Sequence, residues 1–64
     1  MTTRQTYQLD TVRADGREHA RRYHNLARAK AAFDAATRTP HIANVMLWDV
    51  TGGEQNGVDS WWRN

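Results

Sequence analysis

Cysteine is absent from the 64-residue chain, and proline, lysine and serine each occur once. The absence of cysteine excludes a disulfide scaffold, a thiolate metal site and a thiol nucleophile. A small secreted domain usually depends on disulfide staples, so their absence favours a reducing cytoplasm. Large aliphatic side chains are also scarce, with Leu, Ile, Val and Phe contributing nine residues of 64. That proportion raises the question of disorder. The small net charge of +2 and six aromatics (Tyr7, Tyr23, Phe33, Trp48, Trp61, Trp62) argue instead for a fold. Each aromatic can bury roughly 150–250 Å². No long hydrophobic run exists: the longest, Val45-Met46-Leu47-Trp48, is far short of the ~20 residues of a membrane span. The first ten residues lack the apolar segment of a signal peptide.

What is present fits one domain. Residues 1–5 are polar and read as a frayed N-terminus, and 6–64 as a single α+β domain. In Thr6 to Val12, Tyr7, Leu9 and Thr11 alternate with polar neighbours and predict a strand. Ala14-Asp15-Gly16 predicts a turn, because glycine accepts the positive φ that a tight hairpin needs. Arg17 to Tyr23 reads either as a returning strand or as an early start of the following helix, since Glu18-His19-Ala20-Arg21-Arg22 is poor in β-formers.

The helix is the clearest element. Asn25 is a good N-cap, and Leu26, Ala29, Phe33 and Ala36 recur at spacings of three and four, with Ala32 in the same stripe. Lys30 and Asp34 are spaced to pair. Pro40 stops the helix, predicted over 26–38. His41 to Val50 is the strongest strand, 51–57 a loop and Val58 to Trp62 a last short strand. The order strand-strand-helix-strand-strand predicts an α+β domain, an antiparallel sheet of three or four strands with one helix packed on one face. Its expected core is Leu9, Leu26, Phe33, Val45, Leu47 and one of Trp61 and Trp62.

Strand alternation then creates a mismatch. Val45 and Leu47 fall on one face, and Met46, Trp48 and Val50 on the other. A single helix covers one face, so the second presents large apolar groups, the mark of an interface. Met46, Trp48, Val50 and Trp62 are the expected protein-binding residues, for a partner or a second copy in a homodimer. The competing reading packs Met46 or Trp48 under the 51–57 loop or the chain ends.

Charge supplies an alternative function. Residues 1–38 carry eight basic and four acidic side chains, and residues 39–64 one basic and three acidic. Arg13, Arg17, Arg21, Arg22 and Arg28 are candidate nucleic-acid contacts, because arginine suits phosphate. Asp10, Asp15, Glu18 and Asp34 are interleaved with them, so a solvated basic face competes. A GC-rich coding bias also accounts for the excess of arginine and alanine.

Catalytic patterns are weak. His19 and His24 lack metal-ligand spacing. Ser60 lacks a nucleophile-elbow context. Asp49 and Asp59 stand where they can approach across the last hairpin, but each also fits a turn or a strand edge. Gly52-Gly53 leads to no Lys-Ser/Thr helix start, as a phosphate loop requires. The expectation is a non-enzymatic protein with no catalytic, cofactor or metal residue, no membrane association and no small-molecule substrate.

The Tyr7-x-Leu9 strand, the Asp15-Gly16 turn, the Asn25-Leu26-x-x-Ala29 helix start and Val45 to Val50 followed by Gly52-Gly53 form a pattern. It resembles small uncharacterised α+β proteins encoded by bacterial genomes and their prophages. The resemblance covers most of the chain, defines no family and carries no catalytic motif. It implies a bacterial or phage-related accessory protein.

Overall fold

In a computed structural model describing residues 4–63, two hairpin strands precede a helix and two more follow it. β1 spans Tyr7–Arg13, β2 Glu18–Tyr23, α1 Leu26–Thr37, β3 Ile42–Asp49 and β4 Asn56–Trp62. The strands form one antiparallel sheet in the order β2-β1-β3-β4, so the α+β expectation holds with four strands. Of the segment read as a frayed N-terminus, residues 1–3 lie outside the described residues, and Arg4 and Gln5 carry no regular structure.

Segment 18–23 is a strand rather than an early helix. Its partner decides this: Tyr23 pairs with Tyr7 and His19 with Thr11. The hairpin turn closes through the Arg13 amide donating to the Arg17 carbonyl at 2.8 Å, with Gly16 at φ 90°. As an edge strand, β2 needs little burial, and its charged side chains discourage further pairing.

β2 and β3 both run antiparallel to β1 and so run parallel to each other. A hairpin cannot join such strands, and α1 supplies the crossover. Asn25 caps α1, its side-chain oxygen accepting from the Arg28 amide at 3.1 Å. The helix lies on the sheet through small side chains: Ala29 is buried, and Ala32, Phe33 and Ala36 are half-buried against Tyr7, Leu9, Ile42, Val45 and Leu47. Val45 and Leu47 are fully buried at its centre.

Leu26 departs from the expected core and is 36% exposed. A helical side chain covers the turn preceding its own Cα, and at the first helical position that lies past the packed stripe. Asp34 pairs with Arg38 at 2.7 Å rather than with Lys30. The acid then precedes the base by four residues, the favoured order along a helix.

Two bulges shape the sheet. Val12 opposes Asn44 while Arg13 opposes Ile42, which leaves Ala43 as an extra residue. This re-aims Ile42 into the core, where strict alternation would have set it with Met46 and Trp48. On the other side of β3, Leu47 opposes Asp59 while Trp48 opposes Gly57, so Val58 is extra. β4 therefore begins at Asn56, inside the segment expected to be loop.

Candidate functional site

Opposed residues of antiparallel strands point to the same face, so the register maps the uncovered side of the sheet. One row across it reads Arg22, Gln8, Trp48 and Gly57. The next reads Ala20, Asp10, Met46 and Ser60, and the third Glu18, Val12, Asn44 and Trp62. The alternate residues, Leu9, Val45 and Leu47, carry the helix. Met46, Trp48 and Trp62 thus share the helix-free face, with Val12 joining them across β1. Val50 lies past the end of β3, its amide donating to the Thr6 carbonyl at 2.9 Å.

Val12 apart, the large apolar groups occupy the β3–β4 half of this face. Met46 and Trp48 are half-buried and Trp62 is 60% exposed. A Cβ added at Gly57 would stand 3.8 Å from Trp48 Cζ3, so the indole reaches across to the neighbouring strand. The bulge at Val58 makes that possible by setting glycine, not valine, opposite Trp48. A glycine within a strand signals a close approach, but Gly57 carried that signal only once β4 was seen to begin at Asn56 rather than at Val58.

The β1–β2 half is polar and linked. Gln8 Nε2 donates to Asp10 Oδ1 at 2.9 Å, and Arg22 Nε donates to Gln8 Oε1 at 3.4 Å. The adjacent C-terminal tryptophans separate by alternation. Trp61 packs against the core on the helix side, with the Arg63 guanidinium 5.1 Å from its ring centroid. Arg63 is held there by Nε donating to the Ile42 carbonyl at 3.0 Å.

The five candidate arginines do not form one surface. Arg13 ends β1, and Arg17 lies in the turn, paired with Asp15 at 3.5 Å. Arg21 opposes Leu9 on the helix side of β2, whereas Arg22 lies on the open face. Arg28 stands in the first turn of α1. Arg22 and Arg28 line one shallow depression, together with Arg4, Tyr23, His24 and Asn25. Arg4 escaped notice because it falls in the segment read as frayed.

The chain matches no family model, no curated protein and no solved structure.

The other chemical candidates are engaged locally. Asp49 Oδ1 accepts from the Thr51 amide at 3.0 Å, and the Thr51 hydroxyl and amide hold its carboxyl below the ordinary value. Asp59 Oδ1 accepts from the Ser60 amide at 2.9 Å. His24 Nδ1 lies 3.1 Å from the Gln5 carbonyl. Among the described residues, no three His, Cys, Asp or Glu side chains stand close enough together to hold a metal ion. No described helix is long and apolar enough to cross a membrane.

Proposed function

We propose that the protein is a non-enzymatic interaction module that self-associates through the open face of its sheet. The observation that carries this reading is the gathering of Val12, Met46, Trp48 and Trp62 on the side without a helix. Apolar surface left on an open face costs solvation free energy until another surface covers it.

One pairing of the face with itself is complementary at its two edges, which favours a second copy over an unrelated partner. A two-fold axis running across the strands at the level of Asp10 and Met46 sets Arg22 against the second copy's Glu18. It sets Trp62 against the second copy's Gly57, over which Trp48 lies. Large groups then meet small ones, opposite charges meet, and the indoles can stack. The same axis brings the two Asp10 carboxylates close, an unfavourable contact at the centre.

Size sets the strength. Strands spaced about 4.8 Å apart and rising about 3.3 Å per residue offer a face of roughly 19 by 23 Å. That is well below the ~800 Å² per partner of a standard interface, so the dimer is weak and reversible, with Kd at or above about 1 µM. The cysteine-free chain and the patterned resemblance to bacterial and prophage proteins support a cytoplasmic, phage-related accessory role.

Sedimentation equilibrium from about 1 µM to about 1 mM tests the proposal. Wild type should move from monomer to dimer. Trp48→Ala should remain monomeric, and Asp10→Asn should tighten the dimer by removing the central repulsion. A strictly monomeric wild type over that range overturns it.

A further inference from the structure

The depression at the junction of β2 and α1 has chemistry unlike that of the apolar groups on the open sheet face, although Arg22 borders both. Arg4, Arg22 and Arg28 line it together with His24, Tyr23 and Asn25, and no lining residue is acidic. The ion pairs among the described residues, Arg17 with Asp15 and Arg38 with Asp34, lie elsewhere. The first turn of α1 also contains no acidic residue, so its positive end has no carboxylate beside it.

Local structure explains why these residues line one depression. Arg22 is the penultimate residue of β2 and Arg28 the third of α1, and the short His24-Asn25 link sets both beside it, with Arg22 Nε also donating to Gln8 Oε1 at 3.4 Å. The contact of His24 Nδ1 with the Gln5 carbonyl at 3.1 Å ties the preceding segment alongside, which places Arg4 at the rim. Asn25 already occupies the Arg28 amide. A ligand here is therefore held by side chains rather than by the helix end.

We propose that this depression binds a phosphoryl group. Three arginines line the depression and no acidic residue does, so its lining carries net positive charge that favours an anion. The planar donor fork of arginine matches phosphate oxygens two at a time. The site binds phosphate whether it is carried by a small phosphate ester or by a nucleic-acid backbone.

Titration by NMR with inorganic phosphate, and separately with a single-stranded DNA oligonucleotide, at about 50 mM salt tests the site. Protein is kept below the concentration of self-association. Shifts should cluster at Arg4, Arg22, His24, Asn25 and Arg28. Arg22→Gln and Arg28→Gln should each weaken binding about tenfold, the expected loss of a charge-assisted contact. Arg13→Gln, at the far end of β1, should leave affinity unchanged, and Trp48→Ala should bind as wild type does. Saturation by inorganic phosphate identifies a small ester site. Saturation by the oligonucleotide alone, weakening steeply with salt, identifies a nucleic-acid backbone site. The proposal is overturned if neither probe shifts these residues, if shifts spread equally to Arg13, Arg17 and Arg38, or if both glutamine variants retain wild-type affinity.

Discussion

Trp61 and Trp62 are neighbours in sequence with opposite surroundings, and replacing each by alanine should separate folding from association. Trp61 is half-buried against the helix-side core and sits beneath the Arg63 guanidinium. If roughly two thirds of a tryptophan's ~200 Å² is covered, about 130 Å² returns to water on truncation. At about 25 cal/mol per Å² this costs roughly 3 kcal/mol, with the lost cation–π contact offsetting part of the surface already buried in the unfolded chain. Trp62 is 60% exposed. The same arithmetic gives about 80 Å² and, after allowance for the unfolded chain and the remaining Cβ, roughly 1 kcal/mol. A domain this small has a stability of only a few kcal/mol, so Trp61→Ala should be largely unfolded while Trp62→Ala stays folded. Urea denaturation at dilute protein measures the first effect, and sedimentation equilibrium at high protein the second. Trp62→Ala should lose the dimer. A monomer destabilised more by Trp62→Ala than by Trp61→Ala would refute the assignment of faces, whatever the oligomeric state.

Two further substitutions probe the scaffold. His41 adopts φ 70° with an exposed side chain, while its carbonyl accepts from the Ala14 amide at 2.8 Å. Left-handed backbone costs a non-glycine residue about 1–2 kcal/mol, and glycine's greater freedom when unfolded returns about 0.5–1 of that. His41→Gly should therefore stabilise by about 0.5 kcal/mol and raise Tm by about 2–4 °C in calorimetry. A fall in Tm would show that the imidazole has a structural role. Asp49 is held below its ordinary carboxyl value by the Thr51 hydroxyl and amide, so it binds a proton less readily when folded. Its contribution is complete above the unfolded carboxyl value and disappears as pH falls through the lower folded one. Asp49→Asn should remove that part of the acid-limb dependence of stability, measured by urea midpoints from neutral to strongly acidic pH. An unchanged limb would assign it to other carboxyls.

Much of the architecture was legible because it follows from local rules. The Asn25 cap, the alanine-rich stripe and the stop near Pro40 located α1 within one residue of its observed end. Alternation in β3 separated Val45 and Leu47 from Met46 and Trp48. What local rules missed was decided by pairing. Segment 18–23 has poor β propensity and is a strand because β1 offers it a partner. Leu26 fits the helical stripe by spacing yet lies beyond the sheet that the stripe covers. The arginines are close in sequence, but Arg21 and Arg22 part to opposite faces, while Arg4, ahead of β1, lines the same depression as Arg22 and Arg28.

The sequence by itself determined the places of β1, α1 and β3, the two-faced character of β3 and the shortage of helix to cover both faces. These depend on periodicity and on the number of apolar residues, which are properties of the chain. Tertiary structure alone decided the order β2-β1-β3-β4, the two bulges, and the choice of Trp61 for the core and Trp62 for the surface. A one-residue shift in register exchanges the faces of a strand, and two adjacent tryptophans leave that register open until β4 pairs with β3.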